Sequence, residues 1–178
     1  MTQSQLATFG AGCFWGTEAA FRKLPGVTDV KVGYMGGSLN DPSYEDVITD
    51  QTGHAEVAQV SFDPDKVSYE TLLDLFWLIH NPTEMNRQGN DTGTQYRSVI
   101  FYHTDEQQQI ATASRDKLAA SYQYSESIVT AIEPAGKLWT AEDYHQRYLE
   151  KNPTGYCHVN MGRVKEFVAS LAKEQHDA

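Results

Sequence analysis

The sequence predicts a two-layer domain of the mixed α/β (α+β) class, and three observations carry that prediction. Short apolar segments with strand character alternate with segments of helical periodicity along the whole chain. Capping patterns and Pro or Gly breaks mark the joints between them. At 178 residues the chain suits one domain, spanning 1–178, which can bury roughly 70% of its unfolded surface.

Residues 6–11 read as a first strand. Residues 13–24 read as a helix, since Phe14, Ala20, Phe21 and Leu24 fall near one face and Pro25-Gly26 ends it. Residues 27–34 read as a second strand closed by Gly36-Gly37, and a loop follows with Asn40-Asp41-Pro42 as turn chemistry. Residues 54–62 read as a third strand. Ser68 can cap a helix that carries Leu72, Leu73, Leu75, Phe76 and Ile79 and stops before Pro82. Residues 98–102 read as a short buried strand. Thr104 and Gln107 form a capping-box pattern for a helix reaching Ala120. Residues 127–132 read as a fifth strand. Thr140 and Asp143 open a helix that Pro153 ends, and residues 164–173 form a last one. Two stretches, 81–96 and 152–159, lack periodicity. Long polar loops inside compact domains are usually functional or disordered.

Composition narrows the partners. Lys plus Arg number 14 against 24 Asp plus Glu, a net charge of −10. Such a chain is repelled by phosphate backbones and anionic lipids, so no nucleic-acid and no membrane partner is expected. No apolar run approaches the roughly 18 residues that span a bilayer. The first residues lack the regions of a signal peptide, so a cytoplasmic location is expected, although a mature form without its presequence would read the same. The six histidines form no i,i+4 pair and there is no Cys-x-x-Cys, so no metal is expected. The glycines form no P-loop or dinucleotide fingerprint, and no cofactor is expected.

Two cysteines, Cys13 and Cys157, are too few for a disulfide scaffold. Free thiols or a redox pair fit a reducing compartment better than a structural bridge. Cys13 lies between a strand and a helix, in Gly12-Cys13-Phe14-Trp15-Gly16. Unpaired N–H groups and the helix dipole there favour a thiolate and lower the thiol pKa. The alternative is a small buried cysteine in a turn. Phe14 fits the core stripe; Trp15 fits it less well and could wall an apolar pocket. Strand periodicity puts Glu56 on one face with Ala58, Val60 and Phe62. A carboxyl facing the interior has its pKa raised and can donate a proton near pH 7. Tyr44, Asp91 and Tyr96 fall in loops or where strands begin, where partial burial with a wet polar end is the bland reading. His145 and His158 could serve a Cys–His pair, but nothing in the spacing selects them.

At this point the residues resemble the A-type peptide methionine sulfoxide reductases. The match runs through Gly12-Cys13-Phe14-Trp15-Gly16, Pro42-Ser43-Tyr44, Gly53-His54-Ala55-Glu56 and Gln88-Gly89-Asn90-Asp91. It continues through Gly93-Thr94-Gln95-Tyr96-Arg97-Ser98 and Asn152-Pro153-Thr154-Gly155-Tyr156-Cys157. These segments occur in the family's order and spacing and cover the chain from Ala7 to Val159. The resemblance implies a two-layer sandwich with a mixed sheet, a ferredoxin-like plait core and long loops. It implies Cys13 as nucleophile, Phe14 and Trp15 as the pocket for the sulfoxide methyl, and Glu56 as proton donor to the sulfoxide oxygen. Tyr44 and Tyr96 would bind that oxygen and Asp91 would support the polar network. Cys157 would be the resolving cysteine. Some relatives carry a further cysteine beyond it; this chain has none, so a single Cys13–Cys157 step is implied. The substrate would be methionine-S-sulfoxide, free or in proteins, with thioredoxin as reductant, and a monomer is expected. A thiol-dependent peroxidase is the alternative. It usually needs a basic residue near the thiol, and no Lys or Arg lies within eight positions of Cys13. A methionine-binding or redox-sensing module is the non-enzymatic alternative.

Overall fold

The structure is a computed structural model and describes residues 3–177. The chain runs β1 (Gln5–Ala11), α1 (Phe14–Arg22), β2 (Val27–Met35), α2 (Tyr44–Ile48), β3 (Ala55–Phe62) and α3 (Tyr69–Leu78). A small hairpin, β4 (Arg87–Gln88) and β5 (Asp91–Thr92), precedes β6 (Ser98–Tyr102) and α4 (Asp105–Ala120). Then come β7 (Ala131–Pro134), β8 (Trp139–Thr140), α5 (Tyr148–Lys151) and α6 (Met161–Asp177).

The main sheet has the order β7-β6-β1-β3-β2-β8. Its four central strands, β6-β1-β3-β2, run antiparallel to one another in turn, and β7 lies parallel to β6. β1 and β2 flank β3, so the β1–α1–β2 unit leaves a gap that β3 fills, which is the ferredoxin-like plait. The predicted mixed sheet and two-layer class are therefore observed.

The alternation of side chains along each strand decides what lies over each face. Ala7, Phe9, Ala58, Val60, Phe62 and Ile100 meet Ala20, Phe21 and Leu24 of α1 and Leu72, Leu73, Leu75 and Phe76 of α3. Val57, Val99 and Phe101 turn to the other face, under Ala135 and Leu138. Phe9 stacks on Phe21 at 5.1 Å and on Phe76 at 5.2 Å. Full burial of one such ring is worth about 1.5–3 kcal/mol. This packing fixes α1 against β1, and with it the turn between them that carries Cys13.

Four local expectations change. Residues 36–54 are not all loop: Ser43 accepts from the Asp46 N–H and Asp46 from the Ser43 N–H, a reciprocal cap that nucleates α2. The strand expected over 127–132 begins only at Ala131, because Val129 N–H is drawn to Pro82 O at 2.8 Å. The helix expected from Thr140 to Pro153 is broken. Thr140 pairs with Gly33, residues Asp143–His145 make one 3₁₀ turn, and Arg147 stands at φ 54° before α5. Gln146 bonds the backbone of Val32 and Ala141, and Arg147 N–H bonds Glu18, so tertiary partners replace helical ones. Finally, Phe14 leaves the main core stripe and joins a second cluster with Val32, Tyr34, Val47 and Ala141.

Candidate active site

Gly12 takes a φ of 91°, and a Cβ there would stand 2.9 Å from Gln88 Cγ and 3.2 Å from His158 Nε2. Only glycine gives both the turn and the room. The turn leaves Cys13 as the N-cap of α1. Its side chain is 8% exposed, close to sealed but still touching the surface.

Glu56 reaches the same place from the sheet. It lies one residue into β3, on the face shared with Ala58 and Val60, and is 1% exposed. Its Oε1 accepts the Phe14 N–H at 3.2 Å, while Oε2 is buried with no hydrogen-bond partner among the described residues. Burial, against the Phe14 hydrogen bond and helped by the Asp91 charge, pushes the Glu56 carboxyl up to about 8. At neutral pH it holds a proton.

The electrostatics at Cys13 reverse the sequence expectation. Burial comes first and the Glu56 charge second, and together they push the thiol well above its ordinary range. The Trp15 N–H beside the sulfur works the other way but is outweighed. The helix N-terminus is present as expected, but desolvation exceeds its effect, and the resting group is a thiol. Besides Glu56, the charges acting on Cys13 are those of Asp91 and Cys157. Both cysteines are free.

Two hydroxyls face this pair. Tyr44 and Tyr96 act on each other, and burial first and the Glu56 charge second raise both pKa values. Both therefore remain protonated donors. Tyr44 stands on the first residue of α2, not in a loop, and its N–H bonds Glu142 Oε2 at 3.0 Å. Tyr96 ends a 3₁₀ turn after the β4–β5 hairpin. Asp91, in β5, accepts the Tyr156 hydroxyl at 2.9 Å, which ties the hairpin to the segment before Cys157.

The apolar wall is composite. Phe14 is fully buried, with its ring 5.7 Å from Tyr34 and 5.1 Å from His145. Trp15 is half-buried and stacks on Tyr148 at 3.7 Å. Its indole N–H donates to His145 Nδ1 at 2.9 Å, so the His145 proton sits on Nε2. Sequence reasoning did not select His145, Tyr148, Tyr156 or His158. Tyr156 and His158 flank Cys157 and adjacency could have flagged them; His145 meets Trp15 across 130 positions, which no local signal reveals.

Cys157 lies in irregular chain between α5 and α6 and is half-buried. Its sulfur approaches α1 at Gly16, 3.2 Å from where a Cβ would stand. The structure thus gathers Cys13, Glu56, Tyr44, Tyr96, Asp91 and Cys157 around one end of the sheet. A groove of about 550 Å³ opens beside Cys157, bordered by Trp15, Arg22, Arg147 and Met161. Among the described residues, no group of three or more His, Cys, Asp or Glu side chains is placed to hold a metal, and no helix is long and apolar enough to cross a membrane.

The arrangement offers a buried sulfur, a neutral carboxyl and two hydroxyl donors close enough to act on one another. Residues 5–176 match the family model described as peptide methionine sulfoxide reductase. The peptide methionine sulfoxide reductase MsrA of Methanothermobacter thermautotrophicus is 60% identical over 159 residues, which cover 89% of this chain and 94% of that protein. The crystal structure of reduced Mxr1 from Saccharomyces cerevisiae superposes with a TM-score of 0.82 at 40% identity, over 87% of this chain and 89% of that one. Mxr1 in complex with Trx2 superposes with a TM-score of 0.59 at 31% identity, over 82% and 85%. The chain belongs to the peptide methionine sulfoxide reductase family.

Proposed function

We propose that this protein reduces methionine-S-sulfoxide to methionine, with Cys13 as nucleophile, Glu56 as proton donor and Cys157 as resolving thiol. The observation that carries the reading is the buried Glu56 carboxyl. It is protonated at neutral pH, held by one oxygen on the N–H of Phe14, the residue next to a sheltered thiol on which its charge acts. A sulfoxide oxygen leaves poorly until protonated, so the reaction needs a soft nucleophile at sulfur and an acid at oxygen. Tyr44 and Tyr96 hold that oxygen as fixed donors do in an oxyanion site. Phe14 and Trp15 supply apolar surface for the methyl group, and a pocket with a methyl wall and an oxygen site opposite is chiral.

The proton on Glu56 also matters to Cys13. Once the carboxyl is neutral, its repulsion of a thiolate disappears, and desolvation, with a smaller contribution from Asp91, is left to oppose ionisation. Oxygen passes from methionine sulfur to Cys13, giving methionine and a Cys13 sulfenic acid. Condensation with the Cys157 thiol yields a disulfide and water, which protects Cys13 from over-oxidation. Mxr1 has been captured with Trx2, which supports a thioredoxin as the dithiol that reopens the bond. The pair must then be more oxidising than about −270 mV, the thioredoxin potential.

A peroxidase reading finds no favouring observation. The strongest charges acting on Cys13 are carboxylates and a thiol, not a cation. Turnover measured with each sulfoxide epimer and with hydrogen peroxide, using a dithiol, tests the assignment. The S epimer is the expected substrate, and equal or faster turnover of peroxide or of the R epimer would overturn it.

A further inference from the structure

We infer that His158 accepts the thiol proton of Cys157 as that sulfur attacks oxidised Cys13. The inference rests on the proposed resolving role of Cys157. His158 Nε2 lies 2.8 Å from Ala11 O. A carbonyl only accepts, so Nε2 carries the ring proton, and Nδ1 is left with a lone pair. That Nδ1 is buried and has no hydrogen-bond partner among the described residues. A buried acceptor without a donor is costly, and it is retained here beside a sulfur that must lose a proton.

The geometry brings both groups to the same point on α1. The Cys157 sulfur and His158 Nδ1 each stand 3.2 Å from the point where a Cβ on Gly16 would sit. Gly16 is one turn along α1 from Cys13. Any side chain at that position would occupy the space where sulfur, imidazole and helix meet. In the resting chain the Cys157 thiol leans on Val159 O at 3.5 Å, a weak contact to leave. Burial holds His158 below the ordinary imidazole range, so the ring is neutral at pH 7 and free to accept. The Ala11 carbonyl and the Asp91 charge oppose that shift and would stabilise the imidazolium once formed; His80 is the other titratable ring that interacts with it.

The step balances. Cys157 gives its thiol proton to Nδ1, its sulfur forms a bond to the Cys13 sulfur, and the S–O bond of the sulfenic acid breaks. The leaving hydroxide takes the proton from His158 and departs as water. Cys157 sulfur is oxidised and Cys13 sulfur reduced, with no outside reagent.

The test separates methionine release from disulfide closure. One equivalent of methionine-S-sulfoxide is added without reductant; methionine release and the loss of free Cys157 thiol are timed separately. His158→Gln keeps a donor for Ala11 O but has no proton acceptor of imidazole basicity. We expect its closure at pH 7 to slow about 10²-fold relative to the wild type, while its methionine release provides the internal reference. Its closure rate should rise steeply with pH, as hydroxide replaces the base, where the wild-type profile is flatter. In His158→Ala, added imidazole should restore closure, because the removed ring borders a cavity of about 660 Å³ that admits it. A structural role would give neither the altered pH profile nor the rescue. Closure as fast in His158→Gln as in the wild type, or a loss that imidazole and pH leave untouched, would overturn the inference. If the wild type itself forms no Cys13–Cys157 bond after releasing methionine, the resolving role of Cys157 fails first and takes this one with it.

Discussion

The two ends of the site are built differently. Cys13 and Glu56 stand on the β1–α1 turn and on β3, inside a frame fixed by stacked Phe9, Phe21 and Phe76. Cys157 stands on irregular chain between two helices, with Tyr156 beside it 46% exposed. At the first end, desolvation sets the chemistry: it raises both the Glu56 carboxyl and the Cys13 thiol. At the second, local partners set it, through the Tyr156–Asp91 hydrogen bond and the His158 ring. The difference follows from the tasks. Proton donation by a carboxylic acid at neutral pH demands a dry, rigid setting. A thiol that must reach Cys13 and then meet an external dithiol requires access and a segment able to move.

Removing either end should break the cycle at a different point. Cys13→Ser should abolish methionine formation, measured with any reductant; residual turnover near the wild-type rate would end the account. Cys157→Ser should release about one methionine per enzyme and then stall with thioredoxin. Unchanged steady-state turnover would remove the second end from the mechanism.

Stability sharpens the contrast. The unfolded Glu56 has a pKa of about 4.3, against about 8 in the folded chain. The native state therefore holds a proton that the unfolded state releases. The stabilisation from this proton is fully present below about pH 4.3 and is lost as pH rises to about 8. Glu56→Gln keeps a carbonyl for the Phe14 N–H and removes the linkage. Denaturant melts should show the variant gaining up to about 4 kcal/mol over the wild type between low and neutral pH. A pH-independent difference would mean that Glu56 is not held neutral. The smallest effect belongs to the Cys157 end. Tyr156→Phe removes one exposed hydrogen bond to Asp91, worth about 0.5–1.5 kcal/mol, and should slow disulfide closure a few-fold while sparing methionine release. Equal slowing of both steps would show that Asp91 ties the two ends together.

Much of the rigid end was legible in the sequence. Strand alternation put Glu56 inward with Ala58 and Val60, and the Ser68 and Thr104 caps bounded α3 and α4, because these are local patterns. The broken helix after Thr140 was not legible. The Ala141 and Arg147 N–H groups there bond Val32 O and Glu18, and the Gln146 side chain bonds the Val32 and Ala141 carbonyls; Val32 and Glu18 lie more than 100 positions away. The place of His145 was not legible for the same reason, since its partner Trp15 is distant in sequence, whereas His158 stands next to Cys157 and only its bond to Ala11 is long-range. The state of Cys13 was misread because a helix N-terminus can be read from the sequence and the depth of burial cannot.

The central claim is that a neutral, buried Glu56 delivers hydrogen to the sulfoxide oxygen while Cys13 attacks. The direct measurement is the single-turnover rate of methionine release against pH, in the wild type and in Glu56→Gln. The wild-type rate should fall as pH passes about 8, where Glu56 ionises. The variant should be slower by about 10²–10⁴-fold and should lack that fall. A variant as fast as the wild type, or one retaining the same alkaline decline, would contradict the account.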